Sequence, residues 1–120
     1  MKKTSLSIFA TLIWAITATA QAADLYVSPD GNNTPPFANW AQAARNIQAA
    51  VDAASEGDTI YLADHTYSLR ETVTVDKAIT IKGFSGPDDC VVDGRNDVRC
   101  FDINDASLVG LTIQHGFVRG

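Results

Sequence analysis

Basic residues are scarce in this chain, and the few present do not cluster. Nine Lys and Arg stand against fourteen Asp and Glu, for a formal charge of −5. Past the first 22 residues no two basic residues are adjacent. That leaves no basic footprint for nucleic acid and no polybasic patch for anionic lipid. Long apolar runs are missing too. The one extended stretch, Leu6 to Ala18, is shorter than the about 20 residues a bilayer span needs. The only histidines are His65 and His115, and neither sits among Cys or carboxylates at metal-ligand spacing. There is no Gly-rich phosphate loop and no Ser-centred nucleophile elbow. The expectation for these residues is no metal and no cofactor.

What is present begins with an export leader. Lys2 and Lys3 precede the Leu6–Ala18 run, and Ala20-Gln21-Ala22 fits the small-x-small cleavage pattern. Cleavage after Ala22, with Ala23 as the neighbouring option, leaves 98 of the 120 residues. The charge of −5 falls to −7 when Lys2 and Lys3 leave with the leader. The expected location is secreted or cell-surface, with no membrane span in the mature segment. Cys90 and Cys100 then meet an oxidising environment. They have two readings: a disulfide closing a loop of about 11 residues and contributing about 2.5–3 kcal/mol, or two buried thiols acting as small apolar residues.

Asp24 to Ser28 alternates as a strand, and Pro29 to Pro36 is dense in turn residues. Trp40, Ala43, Ala44, Ile47, Val51 and Ala54 fall at helical spacing and predict one amphipathic helix over Trp40 to Ser55. Asn39 is its expected N-cap with Gln42 at the capping-box offset, and Gly57 its expected C-terminal stop. This places Trp40 in the core and Gln48 in solvent. Beyond Gly57 the period changes to two: Ile60 and Leu62, Val73 and Val75, Ile79 and Ile81, Phe101 and Ile103, Leu111 and Ile113. Two interleaved series, Ile60–Ile81–Ile103 and Val73–Val92–Ile113, repeat every 19 to 22 residues. A repeat near 20 points to a solenoid with parallel stacked strands. An antiparallel sandwich is the rival, with Asp93-Gly94 its one good hairpin signal.

The motifs Tyr26-Val27-Ser28-Pro29-Asp30-Gly31, Trp40-Ala41-Gln42-Ala43-Ala44, Ile47 to Ala54, Gly57-Asp58-Thr59-Ile60-Tyr61-Leu62, Val92-Asp93-Gly94 and Gly110-Leu111-Thr112-Ile113 occur in this order. The set resembles the N-terminal region of bacterial right-handed parallel β-helix repeat proteins of the pectate-lyase-like group, some of them similar to polymorphic outer-membrane proteins. The resemblance covers nearly all of the mature chain. It implies an all-β right-handed parallel β-helix with an N-terminal capping α-helix. The divisions are a leader at 1–22, a strand, loop and helix at 23–57, and the first coils at 58–120. It also implies a fragment, since relatives continue for many coils and a last coil needs a polar cap. One departure is His65, where relatives usually carry Gly; a positive φ there costs His something.

The resemblance leaves activity open, because the fold hosts lyases, hydrolases and surface proteins alike. Asp88, Asp89, Asp93, Asp97, Asp102 and Asp105 are the densest carboxylates, with Arg95 or Arg99 the residues to cast as a lyase base. Acidic residues at strand ends more often close Asx turns, so no catalytic role is assigned. Trp40, Tyr61 and Tyr67 are the rings able to stack on sugar. The expected function is an exported, non-catalytic β-helix surface for polysaccharide or another cell-surface glycan. The alternative is the start of a secreted lyase or hydrolase whose active site lies in later coils.

Overall fold

The computed structural model describes residues 21–118. Lys2, Lys3 and the apolar run of the leader lie outside them. The elements are β1 (Asp24–Val27), α1 (Ile47–Ala53), β2 (Thr59–Leu62), β3 (His65–Ser68), β4 (Val73–Val75), β5 (Thr80–Gly83), β6 (Cys90–Asp93), β7 (Phe101–Ile103), β8 (Ser107–Val109) and β9 (Thr112–Gln114). They form three sheets: β1-β2-β5-β8 (sheet 1), β3-β6-β9 (sheet 2) and β4-β7 (sheet 3). From β2 onward the chain visits sheets 1, 2 and 3 in turn, repeatedly. Every strand pair is parallel, which rules out the antiparallel sandwich for these residues. The arrangement is consistent with an all-β parallel β-helix. At Asp93-Gly94 the chain turns toward another sheet instead of folding back as a hairpin.

Alternation within each short strand sends one row inward. Leu25, Ile60 and Ile81 stack in register across sheet 1 and are fully buried. Tyr67 and Val92 do the same in sheet 2, and Val73 and Val75 begin the row in sheet 3. The repeat expected from spacing is partly corrected. Ile81 pairs with Leu108, not Ile103, because Ile103 belongs with Val75 in sheet 3. Val73 pairs with Phe101, and it is Tyr67 that precedes Val92 and Ile113. Three sheets per coil, with turns of unequal length, replace the two evenly spaced series. His65 opens β3 and is not among the residues with positive φ; His115 is, at 53°.

The helix is shorter than periodicity suggests. Asn46 (φ −141°) is its N-cap, accepting the Ala49 N–H at 2.8 Å. Asn39 does accept the Gln42 N–H at 2.9 Å, but this Asx bond closes an isolated turn, not a helix. Ala43 and Ala44 are buried for another reason. The N–H of Ala44 donates to Tyr26 O and the N–H of Ser28 to Ala44 O, while the N–H of Tyr26 donates to Phe37 O. The loop therefore satisfies the outer edge of β1, an edge that would otherwise invite pairing. Gly31 lies hard against Ala43, where a Cβ has no room.

Helix α1 packs against β1, β2 and β4 through Ile47, Ala50 and Val51. Gln48, expected in solvent, instead ties the helix to sheet 3. Its Oε1 accepts the Thr74 N–H at 2.9 Å and its Nε2 donates to Thr74 O at 3.1 Å. The side-chain amide takes the place of a neighbouring strand on the open edge of β4. At the other end Lys77 Nζ donates to the carbonyls of Val51, Asp52 and Ala54 at 2.7–3.2 Å, favourable both as hydrogen bonds and for the helix dipole. Asp58, 6 % exposed, accepts from the N–H groups of Ala23 and Ser55, both at 2.8 Å, and fixes the entry to β2.

Candidate functional site

Positions facing away from the core in sheet 1 also form rows. Tyr26, Tyr61 and Lys82 are register partners on β1, β2 and β5. The Tyr26 and Tyr61 rings stack with centroids 5.7 Å apart and planes 23° from parallel. Trp40 reaches them from the loop that covers β1, its ring edge-on to Tyr26 at 4.6 Å. Phe84, the first residue after β5, stands at 81° to both Trp40 (5.3 Å) and Tyr61 (6.2 Å). These are favourable ring geometries. Trp40 is thus half-buried in a surface cluster and not in the core, because residues 40–44 are loop and do not carry it inward. Phe84 is 60 % exposed. Tyr67 does not join them. It is buried under sheet 2, its hydroxyl donating to Ala63 O at 2.8 Å, and burial holds that hydroxyl well above the usual phenol range.

Of the acidic group only Asp97 and Asp102 share a hollow. Asp93 sits at the end of β6, where Oδ1 accepts the Arg95 N–H at 2.7 Å and lies 3.0 Å from His115 Nδ1, and Oδ2 accepts from Gln114 Nε2 at 3.3 Å. The Arg95 N–H, then the Gln114 and His115 side chains, hold its carboxyl below the usual range. This is the Asx turn expected of a strand-end acid, with Arg95 and Asn96 at φ 57° completing the turn toward the next sheet. Arg95 Nε donates to Leu69 O at 3.1 Å and its Nη2 lies 3.8 Å from Asp97 Oδ2, which ties the side chain to the turn. Asp97, Arg99 and Asp102 line a shallow hollow with Thr72 and Thr74 on the outer face of sheet 3. Asp88, Asp89 and Asp105 are exposed elsewhere. Among the described residues no three His, Cys, Asp or Glu side chains are grouped to hold a metal. A groove of about 340 Å³ lies beside α1, lined by Asn46, Gln48, Ser68, Arg70 and Glu71 over Ile47 and Leu69.

Cys90 and Cys100 are both buried free thiols. Cys90 opens β6 and faces Gly83. The Sγ of Cys100 lies against Gly94 and Gly116, 3.5 Å from Gln114 O. The same Sγ is 3.9 Å from Val92 O, and no bond joins the two sulfurs in this structure. Burial pushes the Cys90 thiol up to about 11, with the Asp64 charge adding to it. Burial raises that of Cys100 as well. Neither is an activated nucleophile.

The chain is 34% identical over 97 residues to a pectate lyase of Emericella nidulans. The match takes in 76% of this chain and 22% of that protein, so the chain spans about a fifth of the length of the curated relative it matches. No family model and no solved structure matches it. Among the described residues no helix is long and apolar enough to cross a membrane.

Proposed function

We propose that this chain is the N-terminal part of an exported right-handed parallel β-helix protein that acts on polysaccharide, and that this segment binds glycan without catalysing its cleavage. The carrying observation is the similarity to a pectate lyase over most of the described residues, on a frame of three parallel sheets visited in turn. Export rests on the leader pattern ending at Ala22. Continuation into further coils is supported by Ile103 and Ile113. They share register with buried Val75 and Val92, yet are 41 % and 47 % exposed. Covering the part of each side chain still exposed gains about 1 kcal/mol, so a further coil above them is favourable.

The absence, among the described residues, of three grouped metal-ligating side chains and the tethering of Arg95 to the turn support a non-catalytic reading of this segment. The name of the relative favours a second reading, in which the whole protein is a lyase or hydrolase with its active site in later coils. The test takes purified protein through native gels containing polygalacturonate, and in parallel assays release of unsaturated uronides with calcium. Retardation without uronide release is the expected result. Uronide release by this chain would sink the non-catalytic reading, and no retardation on any polysaccharide would sink glycan binding. N-terminal sequencing of exported material should begin at Ala23; a start at Met1 would refute the leader.

A further inference from the structure

The outer aromatic cluster of sheet 1 has a composition that core packing does not require. Phe84 follows Gly83 at the end of β5, points away from the interior and leaves 60 % of its surface in water. Tyr26 and Tyr61 are half-buried, and among the described residues neither hydroxyl has a hydrogen-bond partner. Lys82 is one strand step beyond Tyr61, about 4.8 Å across the sheet, exposed and without an ion pair among the described residues. Aromatic faces, phenolic hydroxyls and one ammonium thus share a strip that crosses three strands.

We infer that this strip, Tyr26, Trp40, Tyr61 and Phe84 with Lys82 at its end, is a docking site for a glycan chain bearing an anionic group. The C–H face of a pyranose ring is apolar and seats on an aromatic face, while its hydroxyls need donors and acceptors at the rim. The strip offers both. Charge selects within that class. In a chain whose formal charge is −5, Lys82 is the one cation in register with the rings, so it pairs an acidic substituent of a sugar seated on Tyr61 and Phe84. An anionic bilayer is a poor occupant, because its recognition takes a cluster of Lys and Arg, whereas one ammonium beside the rings matches one acidic substituent of a seated sugar. The inference rests on the polysaccharide reading above and adds to it a place and a charge preference.

The test compares full-chain wild type with Phe84→Ala, Lys82→Gln and, as a control on sheet 3, Asp102→Asn. Binding is measured on polygalacturonate and on its fully methyl-esterified, uncharged counterpart, with circular dichroism confirming the fold. Phe84→Ala should weaken binding about fivefold on both polymers. Lys82→Gln should weaken it about fivefold on the charged polymer only. Asp102→Asn should match wild type. Trp40→Phe, which keeps a ring in the cluster, should bind nearly as wild type. Polysaccharide binding that is unchanged in Phe84→Ala and Lys82→Gln would overturn the site while leaving the polysaccharide reading intact. A Lys82→Gln loss of equal size on both polymers would overturn the charge preference. Wild type that binds neither polymer would overturn both readings.

Discussion

Truncating the first residue of α1 measures how firmly the helix is seated on the sheets. Ile47 is 1 % exposed and lies over the N-terminal strands, in contact with the core cluster that includes Val27, Leu62 and Val73. Ile47→Ala removes three carbons from a site the surrounding sheets cannot collapse to fill, a loss of about 3 kcal/mol. Its neighbour Gln48 holds by polar contacts alone. Gln48→Ala breaks the paired bonds to Thr74 N–H and C=O, but both groups are exposed and water replaces them, so about 1 kcal/mol is lost. With a urea slope of about 2 kcal/mol per molar, the midpoints should fall by about 1.5 M and 0.5 M respectively. Gln48→Asp should cost more than Gln48→Ala. A carboxylate cannot donate to Thr74 O, and it faces Asp52 one turn along the helix. Urea denaturation followed by circular dichroism reads all three. An Ile47→Ala midpoint within 0.3 M, roughly 0.6 kcal/mol at that slope, of wild type would mean that α1 is not docked. A Gln48→Ala loss as large as that of Ile47→Ala would mean that polar clamping, not burial, holds it.

Gly83→Ala should destabilise by about 2–3 kcal/mol or more, seen as a lower melting temperature, because the new methyl would meet the backbone of Gly110 in the next coil; an unchanged melt would show the coils are not stacked this closely. Iodoacetamide at pH 8 should label Cys90 and Cys100 slowly in native protein and both rapidly in urea without reductant, since burial keeps the thiols protonated; no adducts in urea would show that the two are joined by a disulfide. The Asp93 carboxyl is held below its ordinary value in the folded state, so its contribution is present above the unfolded pKa of about 4 and is lost as pH falls through the lowered folded value. Wild type should therefore melt lower at pH 3 than at pH 5, and Asp93→Asn should narrow that gap; an equal gap in both would remove Asp93 as its source.

β3 and β8 left no trace in the alternation, and Cys90-Val91-Val92 was too short to fix its phase, but the other strands were legible because short alternating runs leave a plain period-two trace, with Leu25, Ile60 and Ile81 readable as inward. Register was not, because turns between strands differ in length. Ile60 to Ile81 spans 21 residues, whereas Ile81 to Leu108 spans 27. A series built on equal spacing slips onto Ile103, which alternates just as well but belongs to sheet 3. The helix start was misread for a related reason. Trp40, Ala43 and Ala44 fit a helical stripe, but Asn46 in extended conformation interrupts it, and Ala44 is buried by bridging Val27. Asn46 was the cap signal available. It competed with Asn39, whose side chain is the same and which also has Gln42 at the capping-box offset, where Asn46 has only Ala49.

The aromatic strip was illegible for a reason built into stacked parallel strands. Tyr26 and Tyr61 are 35 residues apart and Tyr61 and Lys82 are 21 apart, so nothing in the linear pattern joins them until register is known. Register is set by the inward row of Leu25, Ile60 and Ile81, whose burial forbids a one-residue slip. The outward row is therefore positioned by core packing without contributing to it, and its side chains are free to serve recognition. Trp40 is the exception, because the loop that delivers its ring also satisfies the edge of β1 through Phe37 and Ala44. Loss of that ring should disturb both the seal and the strip, so Trp40→Ala should lower stability and glycan binding together. Phe84→Ala, which changes only the outer row, should lower binding at constant melting temperature. If both variants lower stability alike and neither alters binding, the four rings are packing for the loop, and the glycan site lies on another face.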